Sequence, residues 1–275
     1  MAVPTKLATR ISSGLKKFQP ILEGARTRDV NESDTVVIVA DLLQEVFGYD
    51  KYSDITSEHA IRGTFCDLAI KIEGRLELLI EVKAIGLELK DQFVKQAVDY
   101  AANQGCDWVA LTNGIVWRVY KVTFAKPIDH ELVVELNLLS LSQRNASHVE
   151  LLSLISKEGW QKARIGEYHS QRQALSRFTL ALLLVSDGML DVLRRELRRI
   201  SPGVKVECDE IREVLLNEVL KRDTLEGEKA DTAKKLVSRA TTRALRTKKE
   251  KSSGDKELKS KDADLPDADT QPSPT

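Results

Sequence analysis

Apolar positions along the chain follow two periods, and the switches between them mark out the elements. Residues 1–30 are mixed and moderately basic, with a short helix predicted over roughly Leu7 to Phe18. Asn31 then reads as an N-cap with Asp34 in the first turn, and Val36, Val39, Leu43 and Val46 follow at helical spacing until Gly48 stops the run. Two β-like runs come next, Thr64 to Ile72 and Leu76 to Lys83, joined by a turn at Glu73-Gly74-Arg75. A helix is predicted from Leu89 to Gln104, with Gly105 as its stop. Trp108 to Leu111 and Val116 to Val122 are strand-like, and Asn113-Gly114 between them signals a hairpin. The order helix, strands, helix, strands predicts an α/β domain with a mixed sheet over residues 1–145.

From residue 146 the strand pattern fades and helical spacing takes over. Leu175, Phe178, Leu182, Val185, Met189 and Leu193 form one apolar stripe. Ser201-Pro202-Gly203 breaks it, and Ile211, Leu215, Val219 and Leu220 form another. Residues 146–246 are expected to be a helical module. Residues 247–275 are Lys, Asp, Glu, Ser and Pro with almost nothing to bury, so a disordered tail is expected.

Composition narrows the class without naming a partner. The chain of 275 residues is 42% hydrophobic, enough for a core, and 31% charged. Forty-two Lys and Arg balance 42 Asp and Glu, so any basic surface must come from local clustering. Cys66, Cys106 and Cys208 are scattered and odd in number, which argues against a disulfide framework and for a reducing cytoplasm. The four histidines show no ligand spacing, and the longest apolar stretch, Leu180 to Val185, is too short to span a bilayer, so no membrane is expected as partner.

The chemistry gathers around two strands. Glu81 and Lys83 are two apart and point to one face. Asp67 shares its face with Phe65 and Ala69, and Cys66, Leu68 and Ile70 are assigned to the other. Pairing through the 73–75 turn can set Asp67 beside Glu81. Two carboxylates at one point repel unless a cation lies between them. Mg²⁺, with Mn²⁺ as a substitute, suits oxygen ligands and keeps waters for chemistry. Such a metal acidifies bound water and neutralises charge on a scissile phosphate. Lys83 would orient or deprotonate that water, or stabilise the charged phosphorus intermediate. A Glu and a Lys two apart are otherwise a common solvated face. Leu78-Leu79-Ile80 and Val82 around them, however, predict a buried central strand whose end opens on a site.

Other candidates lie nearby. Gln96 and Tyr100 share a helix face with Phe93 and Leu89. They either reach toward the metal site or the DNA backbone, or serve as a boundary residue and a core residue. Glu32 lies about 40° from Val36 by the helical period and is the candidate additional acid; equally, it complements the helix dipole. Lys90, Lys95, Arg62, Arg118 and Lys121 are candidates for phosphate contact or plain surface charges, and Trp108 and Trp117 are expected in the sheet core.

The ordered set resembles the PD-(D/E)xK nuclease superfamily. More closely, it is similar to the N-terminal nuclease domain of type I restriction enzyme R subunits. That pattern is a helix opening with an acid, then Asp, then Glu-x-Lys, then Gln-x-x-x-Tyr. Here it reads Glu32, Asp67, Glu81-Val82-Lys83, and Gln96 through Tyr100, with Leu111-Thr112-Asn113-Gly114 before a Trp- and Tyr-bearing strand. The resemblance implies a restriction-endonuclease-like mixed sheet flanked by helices. It implies Asp67 and Glu81 as metal ligands, Lys83 as the catalytic lysine, and Gln96 and Tyr100 as an accessory motif. Cys66 stands where the motif has proline. No phosphate-cradling Gly-x-x-x-x-Gly-Lys-Ser/Thr loop is present, and the chain is too short for a helicase motor, so a stand-alone domain is expected.

The expected function is a Mg²⁺-dependent DNA endonuclease in restriction, phage defence or repair. A homodimer or a protein partner through the helical module is also expected. The alternative is a non-cutting nuclease-fold protein that binds DNA or a partner and regulates. A third reading places the activity in the helical region as an interaction surface.

Overall fold

The computed structural model describes residues 3–61, 64–124, 126–240 and 242. Arg62 and the expected tail at 247–275 lie outside them. The chain divides into two compact units, residues 1–169 and 170–275.

The first unit opens with α1 (Thr5–Thr27), whose Leu7, Ile11, Leu15, Phe18, Leu22 and Ala25 bury one stripe. The helix therefore runs well past Phe18 and continues through Pro20, because the buried stripe continues. In α2 (Glu32–Glu45) the Asn31 side chain accepts the Asp34 amide. Gly48, at φ 81, donates to Gln44 and turns the chain away. Then come β1 (Ile55–Ile61), β2 (Thr64–Ile72), β3 (Arg75–Val82), α3 (Asp91–Gln104), β4 (Trp108–Thr112), β5 (Val116–Thr123) and β6 (Asp129–Asn137). Glu73 and Gly74, both at positive φ, form the two-residue turn between β2 and β3.

Among the described residues these strands make a six-stranded sheet whose spatial order is its sequence order. Neighbours pair antiparallel except β3 with β4, which are parallel and are bridged by α3. The edge strands β1 and β6 were not foreseen. Polar and charged residues such as Ser57, Asp129, Glu131 and Glu135 break up their apolar alternation, as suits an edge that must not recruit another strand.

Two cores sandwich the sheet. One joins α1 and α2 to it through residues such as Leu15, Leu22, Leu42, Phe47, Leu68, Ile80 and Trp117. The other joins α3 to it through Leu79, Val94, Ala97, Val98, Tyr100, Val109, Leu111 and Val122. Trp108 and Trp117 both belong to the first core, as expected. Strict alternation fails at Cys66, which packs in the α3-side core with Ala69 rather than with Leu68 and Ile70. Its thiol donates to the Ile80 carbonyl at 3.0 Å, next to where the β2–β3 ladder ends at Leu68 and Ile80.

The first core also takes in Val149 and Leu152 of α4 (Ala146–Ser153), Ile155, Trp160 of α5 (Lys157–Gln161) and Ile165 of α6 (Arg164–Ala174). Trp160 meets Trp108 edge to face at 5.6 Å. The boundary between compact units thus falls at 169/170, while the change of period read from sequence falls at 145/146. The intervening helices cover the sheet's core instead of starting a core of their own.

In the second unit the apolar stripe from Leu175 to Leu193 is split between α7 (Arg177–Leu184) and α8 (Asp187–Ile200), with Ser186 as the N-cap of α8. Residues Cys208–Val214 form α9, which runs into a π-helical turn at Leu215–Val219. Leu175, Leu180, Leu183, Met189, Leu197 and Ile200 are exposed. No helix among the described residues is long and apolar enough to cross a membrane.

Candidate metal centre

The central strand β3 lies between β2 and β4 and is buried from Leu78 to Val82. Leu78, Ile80 and Val82 face the α1/α2 core, and Leu79 faces α3. Alternation carries Glu81 and Lys83 to the α3 side as β3 ends. There the Lys83 ammonium donates to Glu81 Oε1 at 2.7 Å, lies 3.5 Å from Glu32 Oε1, and stands 5.9 Å from the Phe93 ring centroid on α3. The Glu81 side chain is 8% exposed, Lys83 15% and Glu32 49%.

Asp67 joins them from β2. The ladder pairs Leu68 with Ile80, and one step further Asp67 Oδ2 accepts the Val82 amide at 2.6 Å. A carboxylate side chain thus takes over where backbone pairing ends. Glu32 opens α2, where Asn31 Oδ1 takes the Asp34 amide and fixes the entry of the helix. The structure therefore brings Glu32, Asp67, Glu81 and Lys83 to one end of β3.

Electrostatics reflect the crowding. Burial raises the Glu81 carboxyl above its ordinary range; the Lys83 hydrogen bond opposes this, and the charges of Asp67 and Glu32 add to the rise. For Lys83, burial disfavours the ammonium, but the hydrogen bond to Glu81 and the charges of Glu81, Glu32 and Asp67 outweigh it and hold its pKa above the ordinary value.

The two α3 candidates part company. Tyr100 is buried in the α3-side core with Cys66, and burial, then Cys66, raises its phenol. Gln96 is exposed and lines an open groove with Gln92, Lys95, Asp99, Tyr100 and Asn103. It lies between Phe93, beside which Lys83 stands, and Tyr100 on the same helix face. Among the phosphate candidates, Arg118 is engaged with Glu135 at 2.7 Å and the Leu89 carbonyl at 2.8 Å, and Lys121 with Asp107 at 2.6 Å. Sequence reasoning missed Phe93, the Val82 amide, and two buried polar side chains close behind the site, Thr35 and Asn113. Asn113 was visible as a turn signal and within the Leu111–Gly114 segment of the resemblance, but not as a grip on the chain behind Lys83.

Two carboxylates and a lysine thus meet at the open end of a central strand, in a mixed sheet flanked by helices. Residues 38–136 match the family model of the type I restriction enzyme R protein N terminus. The matched segment holds Asp67, Glu81, Lys83, Gln96 and Tyr100; Glu32 precedes it. No curated protein and no solved structure matches the chain.

The donor set fits a hard cation of the Mg²⁺ type. Asp67 is near enough to oppose the ionisation of Glu81, and such ions are commonly bound by one or two carboxylates with waters completing the shell. Among the described residues no cluster of three or more His, Cys, Asp and Glu side chains is placed to hold an ion.

Proposed function

We propose that this chain is a Mg²⁺-dependent endonuclease that hydrolyses DNA phosphodiester bonds. The observation that carries this reading is the Asp67, Glu81 and Lys83 cluster at the end of β3, inside the segment that matches the R-protein family model. Asp67 and Glu81 would hold the cation, with Mn²⁺ as a substitute. The bound ion supplies charge neutralisation and an acidic water. Lys83, with its pKa held high, keeps its proton at neutral pH and serves as a fixed positive charge toward the phosphate. Glu32 draws the ammonium toward α2 and away from sole possession by Glu81. Tyr100 packs with Cys66, the chain neighbour of Asp67, and Gln96, exposed beside Phe93, is the α3 group available to the DNA backbone.

A role in restriction, phage defence or repair in the cytoplasm follows from this reading. The free cysteines support a reducing compartment. The exposed apolar side chains of α7 and α8 support pairing with a second copy or a protein partner.

A non-cutting, DNA- or partner-binding regulator is the second reading. It is favoured by the ion pair that ties up Glu81 Oε1 and by the modest donor count. Incubating supercoiled, linear and single-stranded DNA with Mg²⁺, Mn²⁺ or EDTA, alongside Lys83→Ala, separates the two. Metal-dependent cutting lost in the folded variant supports the nuclease. DNA binding by well-folded protein without cutting under any metal supports the regulator.

A further inference from the structure

Behind Lys83 the chain makes a bend that is gripped from two sides by polar side chains shut away from solvent. Thr35, 0% exposed in the first turn of α2, accepts the Ile85 amide at 3.1 Å and donates its hydroxyl hydrogen to the Asn31 carbonyl at 2.7 Å. Asn113, 7% exposed, donates to the carbonyls of Ile85 at 3.3 Å and Leu87 at 2.9 Å. Its Oδ1 accepts the amides of Ile115 at 3.1 Å and Val116 at 2.8 Å. The Leu87 amide closes the bend on the Ala84 carbonyl at 2.9 Å.

The stoichiometry is complete. A hydroxyl has one hydrogen to give, and Thr35 gives it to Asn31, leaving a lone pair for Ile85. A carboxamide has two hydrogens and two lone pairs, and Asn113 uses all four. Valine and leucine would fill these spaces at less desolvation cost; the polarity instead ties the start of α2 and the β4–β5 turn to the backbone of residues 85–87. The same Asn31 carbonyl that takes the Thr35 hydroxyl stands one residue before Glu32, so the first turn of α2 touches both the 84–87 bend and the Lys83 ammonium.

We propose that Thr35 and Asn113 are positioning residues. By clamping the 84–87 bend from α2 and from the β4–β5 turn, they hold the Lys83 ammonium between Glu81 and Glu32. The consequence for cutting rests on the nuclease reading; the clamp does not.

The test uses the full chain carrying Thr35→Val, which keeps shape and loses the hydroxyl, Thr35→Ser, which restores it, and Asn113→Asp, which loses the two donors. Three quantities are read: hydrogen exchange at the Ile85 amide, acylation of Lys83 by an activated ester followed by peptide mass, and metal-dependent cutting. In Thr35→Val the Ile85 amide should exchange about tenfold faster, the change expected from one buried hydrogen bond. Lys83 should acylate severalfold faster, and kcat should fall about tenfold with KM for DNA and Mg²⁺ affinity unchanged, since the clamp acts on the lysine and not on the carboxylates. Thr35→Ser should restore all three, and Asn113→Asp should shift exchange at Leu87 and acylation of Lys83 in the same direction. A folded Thr35→Val with wild-type Ile85 protection and wild-type Lys83 acylation overturns the proposal. So does a fall in kcat that Thr35→Ser does not reverse. If the wild type cuts no DNA, the nuclease reading fails, and exchange and acylation still decide the clamp.

Discussion

Lys83 donates to Glu81 at 2.7 Å, and each is a main counterweight to the burial of the other. The pair is short-range along the chain but is held in place from a distance, by Asp67 on the Val82 amide and by Glu32 at the start of α2. A lysine kept protonated this way offers a charge and not a base.

Removing that charge should stop the chemistry while leaving the fold. Lys83→Met is expected to lower metal-dependent cutting by about 10²–10³-fold, the usual cost of losing one preorganised stabilising group. Circular dichroism should show an intact α/β fold. Full activity in the folded variant would sink the assigned role of Lys83.

With Glu81 as the proposed metal ligand, cation and proton should compete for it. Its pKa is raised by burial, so protonation sets in at a higher pH than for an exposed Glu. The sign is therefore that Mg²⁺ binding weakens as pH falls, starting above the ordinary carboxylate range of about 4. In Glu81→Gln the affinity should drop at neutral pH and its pH dependence should shrink. Calorimetric titration with Mg²⁺ at several pH values measures both; affinity unchanged by the substitution would remove Glu81 from the ligand set.

Arg10 holds Glu158 by two bonds at 2.7 Å, and also donates to the carbonyls of Val46 and Phe47. The Arg10 hydrogen bonds lower the Glu158 pKa. A depressed folded-state pKa adds stability that is present above the unfolded value and lost as pH falls through the folded one. Glu158→Gln should cost about 1 kcal/mol near neutrality, a modest figure because the pair is partly exposed and screened. In urea titrations the gap from wild type should close in acid. A gap independent of pH would contradict the assignment.

The thiols should report burial directly. Burial pushes Cys66 up to about 12 and Cys106 up to about 11. Cys208 is partly exposed. Iodoacetamide should modify Cys208 first in the native protein and reach Cys66 and Cys106 only on unfolding. Rapid alkylation of native Cys66 would mean that the β2–β3 end of the site opens readily.

Much of this was legible in the sequence, and the division between what was and was not is physical. Asp67, Glu81 and Lys83 could be placed because a strand has a period of two and their turn is local. Asn31 as a cap and Gly105 as a stop, at φ 65, are likewise local chemistry. Strands β1 and β6 were missed because edge positions carry charge instead of alternation. Cys66 was put on the wrong face because the regular ladder gives out just there. The local bonds of Thr35 and Asn113 read as a helix start and a turn, but their grip on the 84–87 bend could not be read, since Ile85 lies 50 and 28 residues away from them. The order of the sheet, which decides that Glu81 lies on a central strand, could not be read from any one segment.

The parallel pairing of β3 and β4 constrains how this chain can vary in length. Two parallel neighbours cannot be joined by a tight turn; the chain must travel back along the sheet before it starts the second strand. Here α3 is that return path, packed on β2, β3, β4 and β5, and the bend at 84–87 is its first step. An extra residue inserted within α3 would turn the residues beyond it by about 100° about the helix axis and carry part of its buried face outward. The connection from β5 to β6 joins antiparallel neighbours and bears no such restriction. Insertions and deletions should therefore accumulate there, while α3 keeps a fixed number of residues.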